Sequence, residues 1–283
     1  MLVGWDMELR IRISGRPRDA RTAVVLLHGY LCLSPRAYWG AFLPLRSRLA
    51  ACGMDLVLGR TPRTGNVVTR ARRLASHLAA LPHEKLILVG HSMGGLDARL
   101  VASRLDPERR IRKVVTIGTP HRGSPAAEWV LRRGPWPAAL LRAIDRGALR
   151  DLTREGASRL ERLMPDREDV YYLALGGAFP TARLASPFAE FAERVAEGEP
   201  GPNDGLVPLR SALRWQGAMT LEAHHLGLIG LPLRQGVSWP GSRATCCTTP
   251  IARVLIDRIA PRALTGAIGV GQCVARDPGQ LTP

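Results

Sequence analysis

Lysine is almost missing from this 283-residue chain. Only Lys85 and Lys113 occur, so arginine supplies 38 of the 40 basic side chains. The formal charge of +16 at pH 7 invites a nucleic-acid or anionic-membrane partner. No dense basic block supports that, because the arginines are spread from end to end. Such a bias reflects a coding preference, and no nucleic-acid partner is expected. A run of about 18 apolar residues is also missing, which excludes a predicted membrane-spanning helix. Residues 1–16 alternate charged and apolar side chains and lack the continuous apolar core of a secretory leader. The expected location is therefore cytoplasmic, or secreted if a leader has been removed. Cysteine is scarce and odd in number. Cys32, Cys52, Cys246, Cys247 and Cys273 show no metal-ligand spacing, and adjacent Cys246 and Cys247 would close only a strained ring. Neither a metal nor another cofactor is expected.

What is present is ordered around Lys85 to Leu96. Leu86 to Val89 reads as a buried strand. It ends in Gly90-His91-Ser92-Met93-Gly94-Gly95, after which Leu96, Leu100, Val101 and Leu105 recur at helical spacing. A strand–turn–helix around G-x-S-x-G is the context of a nucleophile elbow, with Ser92 raised above the sheet. The alternative is an ordinary glycine-rich turn. A bulky residue at Gly90 or Gly94 would collide with backbone. Met93 N–H, opening the helix, faces the space where an oxyanion would develop.

Along the chain, Met7–Ile13 alternates as an edge strand, and Ala23–Leu27 is a buried strand running into His28-Gly29-Tyr30. Tyr30 N–H is the candidate second oxyanion donor. His28 is expected to order its loop rather than move protons. Further elements are a helix from Tyr38 to Ala51, a strand Met54–Leu58, and a helix capped by Asn66. A strand Lys113–Gly118 precedes Thr119-Pro120-His121. The alternation predicts a mostly parallel sheet with helices on both faces. His28-Gly29, Ser92 and Thr119-Pro120-His121 all follow strand ends, so they should share one rim.

From about 124 to 168 no strand pattern appears. Trp129, Trp136, Leu140, Leu141, Ile144, Leu149, Leu160 and Met164 are spaced as helices, read as a helical cap inserted over the site. The alternative is ordinary helices packed on the sheet. A strand Val170–Leu175, a helix near 187–197 and a short strand Ala218–Leu221 follow. The domain division is a main body at 1–236 containing the insertion, and a closing helix with a loose tail at 237–283.

A serine hydroxyl needs a base, and the base an orienting carboxylate. Among loop acids after Ser92 (Asp145, Asp151, Asp166, Asp169, Asp204), only Asp204 sits in a tight Asn-Asp-Gly turn late in the sheet. Only His224 and His225 follow it, so the base is one of these two. His91 is expected to point elsewhere. His77 and His83 flank a helix end and are expected in solvent.

With these residues assembled, the chain resembles the bacterial triacylglycerol lipases and related esterases of the α/β-hydrolase superfamily. The resemblance runs from Val24 to Gly230. It is carried by Val25–Gly29, by Gly90–Leu96 with Arg99, by Ile117–Ser124 and by Asn203–Val207, followed by His225-Leu226. It implies an α/β-hydrolase fold, Ser92 as nucleophile, Asp204 as acid and His225 as base. The implied activity is serine carboxylic-ester hydrolysis through an acyl-enzyme, on a small-molecule or lipid ester with an apolar acyl chain and with transient contact at a lipid interface. An acyltransferase or thioesterase using the same triad, or a non-catalytic scaffold, are the alternatives. The chain departs from the resemblance at Gly227, where the family carries a calcium-binding aspartate, and near Leu209-Arg210, where it carries a cysteine. The family's calcium and disulfide are therefore not expected.

Overall fold

The structure is a computed structural model that describes residues 21–32, 35–133, 143–184, 188–230 and 258. Among these residues, six strands form one sheet: β1 (Thr22–Leu27), β2 (Met54–Leu58), β3 (Lys85–His91), β4 (Ile111–Ile117), β5 (Tyr171–Gly177) and β6 (Met219–Leu221). Their spatial order is β2-β1-β3-β4-β5-β6, and every pairing is parallel. All carboxyl ends therefore lie at one rim.

Period-two alternation makes two cores from the same strands. Val25, Leu27, Leu86, Leu88 and Val114 face α2 (Val67–Ala79) and α3 (Met93–Arg104), burying against Leu74, Leu78, Leu96 and Val101. Val24, Leu26, Ile87, Val89, Val115 and Ile117 face α1 (Pro35–Ala51), with Phe42, Leu45 and Leu49. Strands covered on both faces must be apolar along their length, and Ala23 to Leu27 are fully buried. The Asn66 cap forms as predicted: its Oδ1 accepts from Thr69 N at 2.8 Å.

The order of the strands positions the site. The chain leaves β1 for β2 on one side, then returns through α2 to β3 on the other. Between β1 and β3 the winding reverses, and a crevice opens beyond their carboxyl ends. The His28–Tyr30 loop leaves β1 there, and Ser92 leaves β3.

The strand-free stretch after β4 holds α4 (Pro125–Arg133), the short α5 (Ala148–Asp151) and α6 (Arg154–Leu163). Ala148, Leu152, Leu160 and Met164 join the core around α2 and α3, so this half of the stretch packs onto the body. Asp151 Oδ2 accepts Val67 N at 2.7 Å, placing a carboxylate at the N-terminus of α2. By contrast, α4 packs against α7 (Phe188–Gly198) in a small cluster of Val130, Leu149, Trp129 and Phe191 that reaches Tyr30. Trp136, Leu140 and Leu141 lie outside the described residues, as do the predicted strand at 7–13, the C-terminal tail, Cys246, Cys247 and Cys273. Of the predicted closing helix at 251–259, only residue 258 is described.

His83 departs from expectation. It is buried, with Nε2 3.1 Å from Asp55 Oδ2 on β2, an acidic partner that draws the ring out of solvent.

Candidate active site

Ser92 is the residue between β3 and α3, and its backbone is at φ 54°, ψ −128°. A serine held there is strained by about 1–3 kcal/mol, so its surroundings must impose it. They do. Ser92 N donates to Ile117 O at 2.8 Å, and Ser92 O accepts from Thr119 Oγ1 at 2.9 Å and Gly95 N at 3.0 Å. The turn closes so tightly that a Cβ on Gly90 would stand 2.4 Å from Gly94 O, and one on Gly94 2.6 Å from Leu27 O. Both glycines are thus required by backbone contact, as the motif predicts.

The loop after β1 presses on the serine. A Cβ on Gly29 would lie 2.8 Å from Ser92 Cβ and 3.3 Å from its Oγ. Tyr30 is the next residue. Met93 begins α3, and helix geometry leaves its N–H without an intrahelical acceptor. His28 orders this loop as expected. Its Nδ1–H donates to Gly29 O at 2.8 Å, and Nε2 lies 3.2 Å from both Thr61 Oγ1 and Thr61 O. Gly29 O and Tyr30 N–H belong to one planar amide. Fixing the carbonyl therefore fixes the opposite direction of the N–H. Burial, helped by nearby Arg70, lowers the His28 pKa to about 4, so the ring is neutral at pH 7.

Asp204 and His225 meet. His225 Nδ1 stands 2.7 Å from Asp204 Oδ2, and His225 N donates to Asp204 O at 2.8 Å. The other carboxylate oxygen, Oδ1, accepts from Leu206 N at 2.9 Å and Val207 N at 2.7 Å. Four bonds thus hold a pair whose side chains are 1% and 4% exposed. His224 takes no part in this pair. Its Nδ1 accepts from Gly227 N at 3.0 Å and its ring meets Phe179 edge-on.

One histidine adds to its expectation and another departs from it. His91 does not merely point elsewhere: its Nε2–H donates to His225 O at 3.0 Å, and the two rings lie 4.6 Å apart. A carbonyl only accepts, which assigns the proton to Nε2. Burial, with His225 alongside, keeps the His91 pKa well below the usual range. His121 turns away from the rim that Thr119 reaches. Its ring is buried between Thr116 Oγ1, 3.0 Å from Nε2, and Arg99, 3.4 Å from Nδ1. Ser92 Oγ forms no hydrogen bond among the described residues and is partly exposed at the rim. Such bonds form or tighten when substrate arrives.

Residues 22–206 match the family described as alpha/beta hydrolase fold. The chain belongs to the α/β-hydrolase fold family. This α/β-hydrolase is similar, at 28% identity over 63% of its length, to triacylglycerol lipase 2 of Saccharomyces cerevisiae, of which it spans 57%. A triacylglycerol lipase of Vibrio cholerae is 26% identical across 93% of this chain and 86% of that protein. Among solved structures, mature Bacillus licheniformis lipase BlEst2 superposes with a TM-score of 0.62 at 23% identity, covering 75% of this chain and 88% of that one. The metagenomic carboxyl esterase MGS0156 gives 0.58 at 23% identity, covering 74% and 65%. These two likenesses show a shared fold. Among the described residues of this α/β-hydrolase, no group of three or more His, Cys, Asp or Glu could hold a metal ion.

Proposed function

We propose that this α/β-hydrolase cleaves carboxylic esters through an acyl-enzyme formed on Ser92. The observation that carries the reading is the buried Asp204–His225 pair, tied by the His91–His225 hydrogen bond to the strand that runs into a serine on a strained elbow. His225 Nε2 takes the Ser92 proton as Oγ attacks the ester carbonyl. Asp204, bonded to Nδ1, holds the imidazole in the tautomer that leaves Nε2 free to accept and stabilises the imidazolium that forms. Tyr30 and Met93 N–H groups receive the oxyanion. The tetrahedral intermediate collapses, the C–O bond to the alcohol breaks, and His225 returns its proton to the leaving oxygen. Water, activated by the same imidazole, then clears the acyl group.

An apolar acyl chain fits the surroundings. Trp129, Val130, Leu149 and Phe191 cluster against Tyr30 and offer an apolar wall beside the oxyanion side of the crevice. Helix α4 and residues near it serve in this reading as the cover over the site, and contact with a lipid interface would be transient. The names of the triacylglycerol lipase relatives agree with a lipid ester as substrate. Among the described residues, no helix is long and apolar enough to cross a membrane.

The decisive experiment is covalent labelling with a fluorophosphonate. Folded wild-type protein should label once, and Ser92→Ala should lose both the label and p-nitrophenyl ester turnover. Folded wild-type protein that stays unlabelled refutes the proposal.

A further inference from the structure

Among the described residues, Arg70 and Asp97 are the most deeply buried ion pair, both side chains 0% exposed, with Nη2 2.7 Å from Oδ2. Burying two charges is costly, and a well-packed apolar pair often does as well for stability. A pair retained at such depth therefore prompts the question of what else it holds. Arg70 spends its remaining donors on backbone. Nη2 donates to His28 O at 2.7 Å, and Nη1 donates to Pro62 O. Asp97 lies on α3, five residues beyond Ser92, and Arg70 Nε also donates to its Oδ2 at 2.8 Å.

These contacts connect the two halves of the oxyanion hole. The His28 carbonyl belongs to the loop that presents Tyr30 N–H. Asp97 belongs to the helix that presents Met93 N–H. The same carbonyl rests on the first turn of α3, where a Cβ on Gly94 would come within 2.8 Å of it. Along the loop, the Arg70 guanidinium fixes His28 O, and the His28 ring fixes Gly29 O. Two consecutive peptide planes are thereby locked, and the second carries Tyr30 N–H. We propose that Arg70, anchored by Asp97, is a positioning residue that sets the distance and angle between the two oxyanion donors. Its planar fork can face a carboxylate and two carbonyls at once, which a lysine ammonium on a flexible stem cannot do with the same geometry. The inference rests on the assignment of Tyr30 and Met93 as donors, and it adds a residue that never touches substrate.

The test compares the wild type with Arg70→Lys and with Arg70→Met/Asp97→Leu. The double variant removes both charges, so neither is left unpaired, and Arg70→Lys keeps a cation beside Asp97. For each, cooperative thermal unfolding is confirmed. Then kcat and KM for a p-nitrophenyl ester, and Ki for a trifluoromethyl ketone that forms a tetrahedral oxyanion on Ser92, are measured. Removing one oxyanion donor outright costs about 10²–10³ in kcat. Misaiming one should cost the double variant about 10- to 100-fold in kcat, with KM within about twofold and Ki raised by a similar factor to the kcat loss. Arg70→Lys should fall between. A kcat within about threefold of wild type in a folded variant overturns the proposal. So does a lower kcat with an unchanged Ki, which would mark a purely structural role. Loss of wild-type turnover in Ser92→Ala, measured alongside, tests the hydrolase reading separately.

Discussion

Replacing His28 by Asn tests whether a neutral imidazole is built into the loop. The Asn amide can still donate to Gly29 O, but it does not titrate. Burial is the main cause of the low His28 pKa of about 4, against 6.5 when unfolded, with Arg70 adding to it. A histidine with a depressed folded pKa keeps its full stability above the unfolded value. That stability is lost as pH falls from about 6.5 towards about 4, because the unfolded chain takes up the proton first. At pH 7 the two states differ little in protonation. At pH 5 the unfolded ring is almost fully protonated while the folded ring remains mostly neutral. The wild type should therefore lose about 2 kcal/mol through His28 between pH 7 and pH 5. Buried His91 and His121 add losses in the same direction, but they do so in both proteins and cancel in the comparison. Urea unfolding followed by tryptophan fluorescence at the two pH values gives the numbers. Whatever the cost of the substitution at pH 7, the gap between variant and wild type should shift by about 2 kcal/mol in favour of Asn at pH 5. An identical gap at both pH values refutes the reasoning.

Gly118→Ala should damage both fold and site. Gly118 is at φ +55°, and an added Cβ would lie 2.9 Å from Leu228 Cδ1, 3.1 Å from Asp204 Oδ2 and 3.3 Å from His225 Cε1. A loss of about 1–2 kcal/mol is expected from the left-handed backbone alone, read by denaturant unfolding, with kcat falling more than KM changes. His91→Phe keeps ring volume but removes the donor to His225 O. It should cost about 1–3 kcal/mol through the unsatisfied carbonyl, and lower kcat without moving the acid limb of the rate–pH profile, since burial holds the His91 pKa well below its usual range.

The sequence made local features readable. The strand at 54–58, the Asn66 cap and the elbow are written in consecutive residues, and the structure places them at the predicted positions. The Asn-Asp-Gly turn was equally legible, because its hydrogen bonds run between neighbours. What escaped depends on partners distant in the chain. His83 was expected in solvent because Asp55 lies 28 residues away. His91 bonds a carbonyl 134 residues on, and no local pattern announces that. Arg70 offered one overlooked signal. It stands at helical spacing within the apolar stripe of Val67, Ala71, Leu74 and Leu78, where a charge has to be answered by another charge. Asp97, beside Leu96 on the buried α3, is the matching irregularity.

The unequal strands of the sheet have a consequence for how this protein ages. Ser92 grows out of a seven-residue strand flanked on both sides and buried from Leu86 onward. Asp204 and His225 stand on either side of β6, which pairs through three half-covered residues at one edge of the described sheet. Local opening is expected to begin at that margin. Two lifetimes are therefore expected: a long one for the architecture and a shorter one for the alignment of Asp204 with His225.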